Sequence, residues 1–340
     1  MPTTGDTAPP LARRLCSFGE ESLAEALPEM PSTLTAATTL RVLTLNVHGW
    51  HHADDSSWNG LVAMLQATRP DVIALQEATK HRIPDLAHAL GDLNWTAHHS
   101  CAILSRLELC VPTSASQVHG IGTKQKGSDR KGGRKQRSEE QPRGKPFQRF
   151  CSASVIIDGV PIEIVCLHLD YVREPTRLSQ LREVAAQHDA SHGHSAQKIW
   201  CGDFNALTFE DYSDHEMKRI ADTRTRNAWE YPVNDVSTMM ARGAVAVAPT
   251  RGGKEAKEPK AGGFTDCWNA AKERSGPLST CRFDTRIDYV YCSAALMREG
   301  GACVRSCDHL QTIPHVSDHN AVLAVLEMRG VVHQGRQKAH

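Results

Sequence analysis

The sequence has no long hydrophobic run and no excess of charge of either sign. No apolar stretch in its 340 residues approaches the roughly 20 residues that cross a bilayer, so we expect no stable membrane insertion. Lys and Arg together number 39, as do Asp and Glu, so the chain carries no overall basic field of the kind that attracts nucleic acid. A hydrophobic amino-terminal segment is also missing, which argues against secretion.

Cysteine is plentiful, with eleven residues, but the spacing typical of zinc sites and redox pairs is missing. There is no Cys-x-x-Cys pair, and the closest two cysteines, Cys303 and Cys307, have no partner ligands at zinc-site distances. Cys166, Cys201 and Cys292 lie in apolar runs, as small buried side chains do. The pattern favours free thiols and an intracellular protein of the cytoplasm or nucleus. Arginines near the amino terminus leave a mitochondrial location open.

The length and the distribution of strand-like segments predict one domain with additions. A chain with 40% apolar residues can bury a large core, and large α/β folds often exceed the usual length of about 150 residues per domain. We predict a domain over residues 39–329. Residues 1–38 are expected to be a disordered or weakly structured extension, 249–262 a Gly- and Lys-rich linker, and 330–340 a flexible tail.

A strongly basic segment interrupts the predicted domain at about residues 117–148. Residues 121–149 contain ten Lys and Arg residues against three Asp and Glu residues, an excess of seven positive charges. Because it has almost no apolar residue, the segment cannot offset the entropy cost of ordering, and we predict a disordered insertion. Binding to a phosphate backbone and an inert solvated insertion are both open interpretations.

Polar side chains that suit catalysis follow predicted buried strands. In the segment Trp200–Asn205, side chains of an extended backbone would alternate, so Asp203 and Asn205 are expected to point the same way. A carboxylate beside an amide can hold a water molecule and a phosphate oxygen. His168 and Asp170 are expected to share one face of the preceding strand for the same reason.

Five further runs are apolar or β-branched and carry a ligand-type residue at one end or within the run. They are Arg41–Leu45 before Asn46, Asp71–Gln76 before Glu77, Ile162–Leu167 before His168, Arg286–Tyr291 around Asp288, and Ala321–Leu326 after Asp318 and His319. Sites are usually built on the loops and strand ends of a rigid sheet, so we expect these side chains to converge.

Helices are predicted between the strands. An apolar stripe after Ser56 or Ser57 predicts a helix that Pro70 ends, which gives a β-α-β order. Further helices are predicted over Pro84–Leu90, from about Pro175, and from Glu210 to about Asn227, and further strands over Ala102–Ser105, Leu107–Val111 and Phe150–Ile157. Histidines 48, 51 and 52 are interpreted as part of a loop lining the cleft, because adjacent His51 and His52 would diverge.

These motifs, in their chain order, resemble the endonuclease/exonuclease/phosphatase superfamily, relatives of pancreatic-type deoxyribonuclease and apurinic endonuclease. The matching motifs are Leu45-Asn46-Val47, Gln76-Glu77, His168-Leu169-Asp170, Gly202-Asp203-Phe204-Asn205, Arg286-Ile287-Asp288-Tyr289 and Ser317-Asp318-His319. Each motif is weak alone, whereas the ordered set is specific. The resemblance implies an α/β fold, a four-layer α/β/β/α sandwich of two mainly antiparallel sheets with outer helices and the site at one edge.

The resemblance also implies cleavage of a phosphate ester with Mg²⁺, or alternatively Mn²⁺. By resemblance, Asp203 and Asn205 orient and deprotonate the attacking water. His319, supported by Asp288, would stabilise the transition state, with His168 as a second donor. Oxygen ligands suit a hard divalent cation. The candidate metal ligands are Asn46, Glu77 and Asp318, and the candidate substrate contacts are Asn46, Asp170, Tyr171 and Arg177, with a surface ion pair as the other interpretation of Arg177.

Departures from subfamily patterns narrow the expected substrate. The inositol-phosphate branch has a Pro-Ala-Trp-x-Asp-Arg-type segment where this sequence has Thr280–Asp288, and the tyrosyl-DNA pattern Glu-Ser-Thr is replaced by Asp170-Tyr171-Val172. A nucleic-acid phosphodiester is therefore the favoured substrate. The alternatives are a small-molecule or lipid phosphoester, and a catalytically inactive binding scaffold. No protein partner can be inferred.

Overall fold

Two β-sheets packed face to face form the centre of the molecule. The computed structural model describes residues 38–50, 55–111, 118–120, 147–192, 197–243, 263–298 and 301–328. The strands are β1 (Thr38–Asn46), β2 (Val72–Gln76), β3 (Asn94–His98), β4 (Cys101–Ser105), β5 (Leu109–Cys110), β6 (Val118–Gly120), β7 (Phe150–Ile157), β8 (Val160–His168), β9 (Gln197–Asp203), β10 (Phe264–Asp266), β11 (Glu273–Ser275), β12 (Asp288–Ser293), β13 (Ala302–Leu310) and β14 (Ala321–Met328). The helices are α1 (Asp55–Thr68), α2 (Ile83–Ala89), α3 (Glu174–His192), α4 (Asp214–Arg226), α5 (Asp235–Arg242), α6 (Cys267–Ala270) and α7 (Ala294–Arg298).

Both sheets are mixed, and antiparallel neighbours predominate. The first sheet has the strand order β11-β13-β14-β1-β2-β4-β3-β6, and the second has β10-β12-β9-β8-β7-β5. Parallel pairs are β1 with β2, β8 with β9, and β11 with β13. The predicted pair of mainly antiparallel sheets is therefore confirmed.

Three apolar clusters divide the fold into four layers. The inner cluster joins the facing sides of the sheets, for example Val42 and Val72 of the first sheet with Ile164 of the second. A second cluster packs Leu61 of α1 on the outer side of the first sheet, with residues of α2 beside it. A third packs Leu181 of α3 on the outer side of the second sheet, together with α5. The order is thus α/β/β/α, as predicted.

Helix α1 is the crossover between the parallel strands β1 and β2. Leu61 and Leu65 are buried against Leu43 and Ile73 of these strands. The predicted β-α-β unit is confirmed, and its parallel pairing brings the carboxyl ends of β1 and β2 to the same edge.

Some element boundaries differ from the predictions. The strand predicted over Leu107–Val111 is only Leu109–Cys110, and it pairs with β7 in the second sheet. The helix predicted from Glu210 begins at Asp214, because Ser213 caps it in a capping box with Glu216. The strand predicted from Arg286 begins at Asp288.

Much of the predicted extension, insertion, linker and tail lies outside the described residues, as do His51 and His52. Of the predicted insertion at 117–148, Val118–Gly120 form β6, and Phe147 is buried in the cluster beneath α3. The ten cysteines of the described regions are free thiols. In the same regions, no helix combines the length and apolar character needed to cross a membrane.

Candidate active site

The candidate catalytic residues lie at one edge of the sandwich because the strand directions require it. The parallel strands β8 and β9 end together at His168 and Asp203, which are register partners. Antiparallel β12 begins at this edge, so Asp288 lies opposite Asp203. In the first sheet, Asn46 and Glu77 follow from the parallel ends of β1 and β2. The predicted convergence of strand-end side chains is therefore observed.

Asn46 connects the two sheets at the site. Its Nδ2 donates to Asp203 Oδ2 at 3.0 Å and to Glu77 Oε1 at 3.2 Å. Its Oδ1 accepts the backbone N–H of His48 at 2.9 Å. An amide oxygen has two lone pairs, so this contact leaves room for the predicted role of Asn46 as a metal ligand, which stays a prediction. In addition, Asn46 holds Asp203 and Glu77 in place.

Asp288 and His319 form a buried pair. Asp288 is fully buried, and its Oδ2 lies 2.9 Å from His319 Nδ1, so the imidazole N–H donates to the carboxylate. Burial alone would lower the pKa of His319, but the charge and hydrogen bond of Asp288 and the charge of Asp203 outweigh it and raise the pKa well above its usual value. The pair therefore holds a cationic imidazole at the site.

Asp203 and His168 face this pair with the opposite tendencies. Burial and the neighbouring charge of Asp288 raise the pKa of Asp203 to about 7, although His319, Asn46 and the N–H of Asn205 act against the rise. Burial, with the charges of Arg149 and His319, lowers the pKa of His168 well below its usual value. His168 Nε2 is 3.6 Å from Asp203 Oδ2, a contact longer than a hydrogen bond.

Glu77 and Asp318 form the more exposed side of the site. Their side chains are 31% and 20% exposed, against 2% for Asp203. His48 lies between them, with its Nδ1 3.2 Å from Asp318 Oδ1 and 3.9 Å from Glu77 Oε2. His48 was not among the predicted site residues, although the interpretation of its loop as a cleft lining fits. Both His48 and Glu77 have a positive φ, 47° and 53°.

Asn205 reaches the site by a different route from the predicted one. Strand β9 ends at Asp203, and Asn205 has a left-handed φ of 51°, so strand alternation does not apply. Its backbone N–H donates to Asp203 Oδ1 at 3.0 Å, and its Nδ2 donates to the carbonyl of Leu169 at 3.1 Å. Asn205 thus holds Asp203 and the segment that follows His168.

Two of the predicted substrate contacts have structural partners. Strand β8 ends at His168, so Asp170 is not on its face; Asp170 Oδ1 accepts the N–H groups of Val172 and Arg173. Arg177 is 1% exposed and is neither a substrate contact nor a surface ion pair, because its guanidinium is buried against Glu174. By contrast, Tyr171 is 51% exposed.

Thr280 is a site residue that the sequence did not indicate. It is fully buried, and its hydroxyl oxygen accepts the N–H of Ile287 at 2.9 Å and of Asp288 at 3.0 Å. Its carbonyl accepts the N–H of Asn320 at 2.8 Å, next to His319. A single residue therefore fixes the backbone on both sides of the Asp288–His319 pair, with its side chain on the Asp288 side and its carbonyl on the His319 side. No periodicity or motif in the sequence marks this position.

Residues 43–319 match the Endonuclease/Exonuclease/phosphatase family, and the match spans the whole site. The chain belongs to this family. The match confirms the predicted resemblance. Members of the family are hydrolases that act on phosphoester bonds and generally use a divalent metal. No curated protein is similar enough in sequence to be matched.

Solved structures share the fold at low sequence identity. A family member from Bacteroides vulgatus has a TM-score of 0.54 at 14% identity, over 86% of this chain and 99% of that chain. The mannosyl-6-phosphatase Bt3783 of Bacteroides thetaiotaomicron has a TM-score of 0.51 at 15% identity, over 84% and 99%. A member from Beutenbergia cavernae has a TM-score of 0.50 at 16% identity, over 86% and 72%.

Proposed function

We propose that this protein is a divalent-metal-dependent phosphodiesterase that hydrolyses nucleic acid by attack of water on phosphorus. The observation that carries the proposal is the buried Asp288–His319 pair beside Asp203. It places a cationic donor next to a carboxylate whose pKa, about 7, suits proton transfer at neutral pH.

Each side chain has a role that follows from its environment. Asp203, held by Asn46 and Asn205, orients the attacking water and accepts its proton. His319, kept cationic by Asp288, donates to a non-bridging phosphate oxygen, where charge develops in the transition state. His168, kept neutral by burial, supplies a second N–H donor beside the same oxygen of Asp203.

The exposed side of the site fits a metal ion. Glu77 and Asp318 are partly exposed carboxylates, and no thiol lies among the donors. Glu77 and Asp318 would hold Mg²⁺ or Mn²⁺, which when bound neutralises phosphate charge. The ligand atoms of Asp203, Asp288 and His319 also lie within 4.8 Å of one another, but a cationic imidazole donates and does not ligate, so we place the metal at Glu77 and Asp318.

A nucleic-acid substrate is supported by the position of basic residues. The basic sequence of residues 121–146 rejoins the described chain at Phe147, two residues before Arg149. The carbonyl of Arg149 accepts the N–H of His168 at 3.0 Å. The positive charge of the Arg149 side chain contributes to the lowered pKa of His168. The positive charge of Arg149 is therefore close to His168, where it can attract a phosphate.

A phosphomonoesterase acting on a small molecule is the second candidate. It is favoured by the structural similarity to a mannosyl-6-phosphatase. The two candidates differ in the ester that they cleave, so substrate pairs can separate them.

The test is hydrolysis of bis-p-nitrophenyl phosphate, p-nitrophenyl phosphate, single-stranded DNA and RNA, with Mg²⁺ or with excess EDTA. We expect diester and nucleic-acid cleavage that EDTA abolishes. Glu77→Gln keeps the side-chain size and removes the charge, and it should lower kcat/KM by about 10²- to 10⁴-fold, the value of several kcal/mol of metal-supplied stabilisation. Glu273→Gln, on the exposed edge strand β11, is the matched control.

Full activity in EDTA, or an unaffected Glu77→Gln, would refute the metal-dependent mechanism. Cleavage of the monoester alone would replace the nucleic-acid substrate with the second candidate.

A further inference from the structure

Two tyrosines are unusually exposed in the described part of the chain. Tyr231 is 70% exposed and Tyr171 is 51% exposed, and Ile156, at 40%, is the other large hydrophobic residue in this class. A tyrosine ring left in water gives up the burial that normally stabilises an aromatic residue. Exposed aromatic residues that lie together are therefore candidates for ligand binding.

The two tyrosines are anchored to the same buried side chain. Arg177 Nη1 donates to the carbonyl of Asp170 at 2.9 Å, and Nη2 lies 3.6 Å from Glu230 Oε2. Tyr171 directly follows Asp170, and Tyr231 directly follows Glu230. We call Arg177, Asp170 and Glu230 the Arg177 cluster. It connects the backbone of Asp170 and the carboxylate of Glu230, which are 60 residues apart in the chain, to one guanidinium.

Glu174 strengthens this anchoring. Its Oε2 accepts Arg177 Nε at 2.7 Å, and its Oε1 accepts the N–H of Val236 at 2.8 Å, beyond Tyr231. The backbone N–H of Glu174 donates to Glu230. Both exposed rings therefore directly follow residues that contact one buried network, which lowers the entropy cost of ordering these segments when a ligand binds.

The Tyr171 segment is also attached to the catalytic residues. Tyr171 follows His168 by three positions, and the intervening Leu169 donates its N–H to the carbonyl of Asp203 at 2.9 Å. Asn205 Nδ2 donates to the Leu169 carbonyl on the other side. Arg173 is exposed and follows Tyr171 by two residues, so an aromatic ring and a cation are close together in the segment that follows His168.

We propose that Tyr171 and Tyr231 form a stacking platform for unpaired bases beside the scissile phosphate. Arg173 would bind a phosphate of the nucleic-acid backbone. The substrate class is then single-stranded nucleic acid, which deepens the proposed function and rests on it. Aromatic rings interleaved with cations bind single strands because each base has a face that stacks and each linkage carries a charge. In a duplex, both faces of each internal base are already stacked, so the platform discriminates against double strands.

Binding can be measured without catalysis. The full-length protein in EDTA is titrated into a labelled 12-nucleotide oligo(dT), the corresponding duplex, and a 12-unit abasic oligomer, with fluorescence anisotropy as the readout. Tyr171→Ala and Tyr231→Ala should each weaken binding of oligo(dT) by about 5- to 150-fold, the range for loss of one stacked base. Tyr171→Phe and Tyr231→Phe retain the ring and should bind like the wild type. Ile156→Ala is the matched control for loss of an exposed apolar side chain.

Binding of the abasic oligomer or the duplex as tightly as oligo(dT) would overturn the proposal, since phosphate contacts alone would then explain affinity. Unchanged binding by the alanine variants would overturn it as well, and so would weakened binding by the phenylalanine variants, because the hydroxyl and not the ring would be responsible.

Kinetics separate this proposal from the function on which it rests. With bis-p-nitrophenyl phosphate and Mg²⁺, hydrolysis by the wild type tests the proposed function alone. With oligo(dT), the alanine variants should show a raised KM and a nearly unchanged kcat. If the wild type cleaves neither substrate, the proposed function fails, while the binding experiment still decides whether the platform exists.

Discussion

The charge of Asp288 should be essential only because it supports His319. Replacing Asp288 with Asn preserves shape and removes the charge 2.9 Å from His319 Nδ1. At an effective dielectric constant of about 20, two charges at that distance attract by about 6 kcal/mol, part of which offsets the cost of burying both groups. Breaking a buried pair costs about 3–5 kcal/mol of folding stability. Loss of a positioned proton-transfer group lowers rate by at least about 10²-fold.

The assay is a double-mutant cycle in kcat/KM for bis-p-nitrophenyl phosphate with Mg²⁺. Asp288→Asn and His319→Ala should each lower kcat/KM by at least about 10²-fold, and the double variant should be little worse than His319→Ala alone. Asp92 is an exposed carboxylate in the turn after α2, and Asp92→Asn is the control. This substitution should leave kcat/KM unchanged in the wild type and in each variant of the cycle. Strictly multiplicative losses in a folded double variant would refute the partnership, even if both residues proved necessary.

Two predictions concern buried groups outside the direct chemistry. Thr280→Val leaves the N–H groups of Ile287 and Asp288 unpaired, so it should lower the free energy of unfolding by about 2–4 kcal/mol. It should also lower kcat more than it changes KM. Thr280→Ser should restore both stability and kcat, and wild-type activity of the valine variant would contradict the positioning role of Thr280. Burial lowers the pKa of His309 to about 4, against about 6.5 in the unfolded chain, so the neutral ring contributes stability above pH 6.5 that is lost as the pH falls toward 4. His309→Gln should remove about 3 kcal/mol of that acid dependence in urea unfolding at pH 7 and pH 4, and an unchanged pH dependence would show that His309 does not cause it.

The parts of the site that the sequence predicted are those that follow directly from strands. Glu77 and His168 end runs of buried apolar residues, and a buried run that stops at an ionisable residue indicates a strand end. The order of the strands and the β-α-β unit then bring the ends to one edge, so convergence could be expected without knowing any distance. Family resemblance added the sheet pairing that the runs alone do not contain.

The remaining features depend on contacts between distant segments. Arg177 was assigned to the substrate because helix position does not reveal burial, and its partner Glu230 is 53 residues away. Asn205 was placed by strand alternation, which the left-handed turn after Asp203 ends. Thr280 had no signal, since its partners are backbone N–H groups, and any sequence supplies those.

The left-handed residues at the site have a consequence for how this chain can evolve. His48, Glu77 and Asn205 have φ values of 47°, 53° and 51°, a conformation that costs side chains with a Cβ roughly 1–2 kcal/mol, and asparagine less. Glycine at position 48 or 77 would relieve that strain, so the most stable form of this backbone is not the active one. Selection for stability without selection for activity would therefore favour such substitutions, and the melting temperature would rise as the site was lost.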